Sequence, residues 1–110
     1  MQGRCRVATL PSELEKKVTE RINEVVEEET SRKLGQLNIV TEVSEVGDGA
    51  MRVRFSPLSP YSPIAVNTGR GIKDATLSVQ GVKQVTVECR GHIMDELVNR
   101  LVNGEQNQRR

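Results

Sequence analysis

The stretch Leu37-Asn38-Ile39-Val40-Thr41-Glu42-Val43-Ser44-Glu45-Val46-Gly47-Asp48-Gly49-Ala50-Met51-Arg52-Val53-Arg54-Phe55 decides the fold. Leu37, Ile39 and Val43 fall on alternate positions. So do Met51, Val53 and Phe55, with Arg52 and Arg54 between them. A period of two is that of a strand with one face on a core and the other in water. Gly47-Asp48-Gly49 lies between the two runs and supplies the chemistry of a tight turn. Two alternating runs around such a turn predict a β-hairpin.

Upstream, Ser12 and Glu15 have the spacing of a capping box, in which each side chain satisfies a backbone N–H of the other. Leu14, Val18, Ile22, Val25 and Val26 then recur at helical spacing, which predicts a helix ending near Glu28. A polar connection over 30–36 leads into the hairpin. Downstream, Ser56-Pro57-Leu58-Ser59-Pro60-Tyr61-Ser62-Pro63 cannot continue a central strand, because proline removes ladder donors. It reads as a stiff loop, with Ser62-Pro63 suited to cap and open a second helix. That helix is expected over 63–78, with Gly69 and Gly71 marking close packing or a kink. Gly81 stops it, and Val82, Val85 and Val87 mark a third strand over 83–89.

A final helix over 92–102 carries Ile93, Leu97 and Leu101 at i, i+4 and i+8. That stripe is expected to complete the core, the alternative being a contact with a second copy. The chain therefore reads as a 1–11 extension, a single domain over 12–102 and a polar flexible tail over 103–110. Its order, α-β-β-α-β-α, predicts an α+β two-layer sandwich with helices on one face of a three-stranded sheet.

Composition narrows the function. With 110 residues the chain is one domain, and 35% hydrophobic residues give it a core. Aromatic residues make up 2%, too few for a platform on which bases stack, and the net charge of +1 offers little counterion release on a duplex. Nothing resembles a membrane span or a signal core, so the cytoplasm is the expected location. Cys5 and Cys89 lack metal-ligand spacing and are expected as free thiols.

Catalytic chemistry has little to stand on. No phosphate-binding loop, dinucleotide fingerprint, nucleophile elbow or zinc spacing occurs. His92, the sole histidine, reads as a surface residue, and Glu27-Glu28-Glu29 as a solvated acidic run. Asn67-Thr68-Gly69-Arg70-Gly71-Ile72-Lys73 faintly resembles the glycine-rich turn of K-homology domains, although here it falls inside a predicted helix. An enzyme is not expected, nor is a cofactor.

The ordered pieces resemble the domain of unknown function 59 family, small proteins associated with metal–sulfur cluster assembly and maturation. Val26-Glu27-Glu28-Glu29-Thr30 occupies the place of the family's acidic segment, and Leu37-Asn38-Ile39-Val40 that of its first strand. Ser59-Pro60-Tyr61-Ser62-Pro63 matches the loop before its Cys-Pro helix start, and Gly81-Val82-Lys83-Gln84-Val85-Thr86-Val87 matches its last strand. The resemblance covers about residues 12 to 89. It departs where the family's reactive cysteine falls at Ser62 and its aspartate at Glu27. A serine hydroxyl stays protonated near neutral pH and cannot stand in for a thiolate.

The resemblance implies a non-catalytic adaptor or assembly factor for iron–sulfur proteins. Its partners would be proteins of cluster assembly or their clients, bound through Ser59, Tyr61, Ser62, Pro63 and Glu27, as a monomer or a homodimer. The alternative is a small RNA-binding αββα-type module using the Gly69 to Lys73 segment with Arg52 and Arg54.

Overall fold

A computed structural model describes residues 12–108. The elements are α1 (Glu13–Asn23), α2 (Leu34–Leu37), β1 (Val40–Gly47), β2 (Ala50–Phe55), α3 (Ala65–Leu77), β3 (Gln84–Cys89) and α4 (Asp95–Gln108). The sheet order is β1-β2-β3. The first two strands run antiparallel, with Val43 opposite Val53 and Gly47 opposite Ala50 across the turn, where Gly49 takes φ +78°. The crossover through α3 makes β2 and β3 parallel, Met51 beside Val85 and Phe55 beside Cys89. This is the expected α+β architecture, with helices packed against the sheet.

The alternation sorts the sheet into two faces. Met51, Val53, Phe55, Val85, Val87 and Cys89 are buried and meet Val18 and Ile22 of α1 and Ile72 of α3. Each such side chain withdrawn from water contributes about 1.5–3 kcal/mol. The opposite face is charged. Glu42 pairs with Arg52 (3.0 Å) and Arg54 (3.2 Å), and Glu88 with Arg54 (2.8 Å).

The capping box of α1 is present: Glu15 N–H donates to Ser12 Oγ, and Ser12 N–H to Glu15 Oε1. The helix nevertheless stops at Asn23, short of Glu28. Val26 instead bridges to Lys33, and Leu34 N–H donates to Val25 O, so the chain turns sharply where a polar connection was expected. The turn feeds the short α2, and Asn38 in left-handed conformation (φ +57°) ends that helix; Leu37 is therefore helical, not part of a strand.

The last helix brings the main correction. Val98 and Val102 face the core, whereas Ile93, Leu97 and Leu101 are 64%, 37% and 44% exposed. The reason is where α4 lies, beside α3 and along the free edge of β3. Asn103 Nδ2 donates to Val87 O (2.7 Å) and its Oδ1 accepts from Val87 N–H (3.1 Å). Asn99 makes the same pair of bonds with Cys89. Two asparagine amides thus stand where a fourth strand would and satisfy the edge groups of Val87 and Cys89. The helix continues past Val102 to Gln108, while the last two residues of the expected tail and the 1–11 extension with Cys5 lie outside the described residues.

Candidate functional site

The parallel strands β2 and β3 end together at Phe55 and Cys89, and the 56–63 loop and the 90–94 loop leave from there side by side. Loops at the carboxyl ends of parallel strands are common sites of function in such sheets. Backbone bonds tie the pair together: Arg90 N–H donates to Phe55 O (2.9 Å) and Ile93 N–H to Pro60 O (2.8 Å). Within the first loop, Ser62 N–H donates to Ser59 O (3.1 Å) and Tyr61 N–H to Ser59 Oγ (3.1 Å).

His92 closes the assembly. Its Nδ1 accepts from Met94 N–H (3.0 Å), which leaves Nε2 as the donor to Ser62 O (3.0 Å). A carbonyl can only accept, so this geometry selects one neutral tautomer. Asp95 anchors the other strap by accepting from Gly91 and His92 N–H. The sequence placed His92 on a bland surface; its part in holding Ser62 depends on a pairing across thirty residues that local pattern does not encode.

Ser59, Tyr61, Ser62 and Pro63 therefore share one ordered loop. Tyr61 is 71% exposed, whereas Ser62 is buried. Ser62 is not the cap of the second helix: α3 starts at Ala65 behind Ile64, with no side-chain cap. Glu27 is held in a separate turn and is buried, contrary to its expected place in a solvated run. Its Oε1 accepts from Thr30 N–H and Thr30 Oγ1, both at 2.7 Å. Burial raises its pKa most strongly, but the hydrogen bonds from Thr30 and Glu29 together hold it below the usual carboxylate value. Asn67 Nδ2 donates to Glu28 Oε1 (3.2 Å), which joins this turn to the first turn of α3.

The chain is 24% identical over 70 residues to an uncharacterized protein of Methanocaldococcus jannaschii, spanning 64% of this chain and 74% of that one. No family profile matches it. The crystal structure of a domain of unknown function 59 from Bacillus anthracis superposes with a TM-score of 0.66, covering 86% of this chain and 92% of that chain at 16% identity. The fold is that of a domain of unknown function 59.

On this domain of unknown function 59 fold, the described residues do not suit holding a metal–sulfur cluster as cargo. Cys89 is fully buried in the core. Burial, then the charge of Asp95 and a hydrogen bond to it, push the Cys89 thiol up to about 12, so it stays protonated. Among the described residues no group of three or more His, Cys, Asp or Glu side chains is placed to hold a metal ion. No helix among them is long and apolar enough to cross a membrane.

Proposed function

We propose that the domain is a non-catalytic, protein-binding adaptor in the maturation of iron–sulfur proteins, gripping its partner through the 56–63 loop. The observation that carries this reading is Tyr61. The chain's one tyrosine is 71% exposed on a backbone fixed by four hydrogen bonds, from Ser62, Tyr61 and Ile93 N–H and from His92 Nε2. Binding energy in protein interfaces concentrates in a few aromatic anchors, and rigid presentation reduces the entropy lost on association. Leu58, in the same loop, is also exposed.

The fold likeness and the spacing around the loop suggest the choice of pathway. Ser62 carries no thiol, and Cys89, the cysteine among the described residues, is withdrawn from solvent, which favours recruitment of a partner over thiolate chemistry at this loop. Glu27 serves indirectly in this reading, by fixing the turn that displays Val26 and Glu28. An RNA-binding role finds less support: Arg52 and Arg54 are paired with Glu42 and Glu88, and Lys73 Nζ donates to Val102 O.

The test is capture from anaerobically prepared native extract on the immobilised chain, with and without nuclease, read by mass spectrometry. The expected outcome is enrichment of cluster-assembly proteins or apo iron–sulfur enzymes, indifferent to nuclease. Tyr61→Ala is expected to reduce that capture at least about tenfold with an unchanged thermal melt. Equal capture by Tyr61→Ala would remove the loop as the contact. Proteins that disappear with nuclease would replace the adaptor by an RNA-binding module.

A further inference from the structure

We infer that the outer face of α4 is a self-association surface, on which a second copy of this chain packs its own α4 antiparallel about a two-fold axis. Ile93, Leu97 and Leu101 form an exposed apolar row along α4 and the turn that precedes it, and Met94, also exposed, borders them. A helix turns about 100° per residue, so Glu96 and Arg100 share one flank of that row, while Met94 and Leu101 share the other. Both Glu96 and Arg100 are exposed, and neither makes an ion pair among the described residues.

This distribution of charge argues for a second copy over a different partner. A two-fold axis perpendicular to α4 brings each flank against the same flank of the partner, running in the opposite direction. With the axis crossing the helix near Leu97 and Val98, Glu96 of one copy faces Arg100 of the other, and the reverse pair forms by symmetry. The same axis sets Met94 against the second copy's Leu101 on the opposite flank, and the leucines at 97 meet near the centre. Apolar residues thus oppose apolar ones and each charge meets its opposite, the complementarity that an isologous interface requires. A groove of about 170 Å3 between Val66, Met94, Leu97 and Leu101 gives the apolar flank a concavity to be filled. Ser62, Pro63 and His92 line the same groove, so the surface borders the 56–63 loop, and the charged positions Glu96 and Arg100, outside that loop, test the dimer separately from the adaptor reading.

The experiment is sedimentation equilibrium of the full chain over a wide concentration range, repeated for three surface variants. A concentration-dependent dimer is expected. Leu97→Asp should raise its dissociation constant at least about tenfold, with the circular dichroism spectrum retained. Glu96→Arg alone should weaken the dimer, and Glu96→Arg combined with Arg100→Glu should restore it. That rescue is specific to the antiparallel pairing. A chain that stays monomeric at every concentration overturns the inference. So does a dimer indifferent to Leu97→Asp, or a double charge exchange that fails to recover association.

Discussion

At the level of single residues, tertiary surroundings assign each polar or reactive group its state. Cys89 shows this most directly. Its thiol, ordinarily ionising at 9.0, is pushed up to about 12 by burial first and by Asp95 second. The fold holds this proton more tightly than the unfolded chain does. The corresponding stability is therefore fully present below pH 9.0 and declines as pH rises from there to about 12. The slope for one group is about 1.4 kcal/mol per pH unit. The stability difference between the wild type and Cys89→Ala, measured by urea unfolding across that window, is expected to narrow with rising pH. Iodoacetamide followed by peptide mapping should leave Cys89 unmodified in the native protein at pH 8 and modify it in urea. Nothing local announced this, since a cysteine closing an alternating strand looks the same whether Asp95 or solvent stands behind it. The same holds for Glu27, whose burial and Thr30 partners turn an apparently solvated acid into the anchor of a turn.

At the level of elements, the sheet was legible and the helix boundaries were less so. Alternation fixes which side of a strand is buried, and no competing period exists in Met51 to Phe55. Helical spacing is more forgiving. Val25 and Val26 extend the stripe of α1, yet backbone bonds with the 32–34 segment turn the chain away after Asn23. In α4 two apolar rows compete, Ile93-Leu97-Leu101 and Val98-Val102, and apolar content alone ranks the longer one first. Asn99 and Asn103 settle the choice, because only with the valines inward do both amides reach the β3 edge; an Asn pair at i, i+4 beside an apolar row was the readable signal. Gly69 tests the α3–α4 packing. A Cβ there would stand 2.7 Å from Val102 Cγ2. Gly69→Ala gains about 1 kcal/mol of helix propensity, but overpacking costs about 1–3 kcal/mol. The expected net effect is destabilisation, partly relieved by Val102→Ala in the same chain. Additive losses in that double-mutant cycle would show that the two positions do not press on one another.

Across the whole molecule, one sheet face is closed by helices and one free edge by asparagines, so the fold depends on where α4 ends. A chain cut after Val102, at the boundary the sequence suggested, would keep every apolar core residue named above. It would lose Asn103, whose amide satisfies both Val87 N–H and Val87 O and also donates to Asn99 O (2.9 Å). Both bonds are part-buried and truncation opens the edge to water, so each loss costs the net value of a hydrogen bond, about 0.5–1.5 kcal/mol. The truncated chain is therefore expected to lose about 1–3 kcal/mol, against the roughly 5–15 kcal/mol typical of a domain. Urea denaturation of the 110-residue and truncated chains, both carrying Leu97→Asp and compared at one low concentration to limit association, measures this. Faster amide exchange at Val87 in the truncated chain would locate the loss at the strand edge. An unchanged midpoint with unchanged exchange would mean that water replaces the asparagine without penalty, and that the edge is held by Asn99 and the helix packing alone.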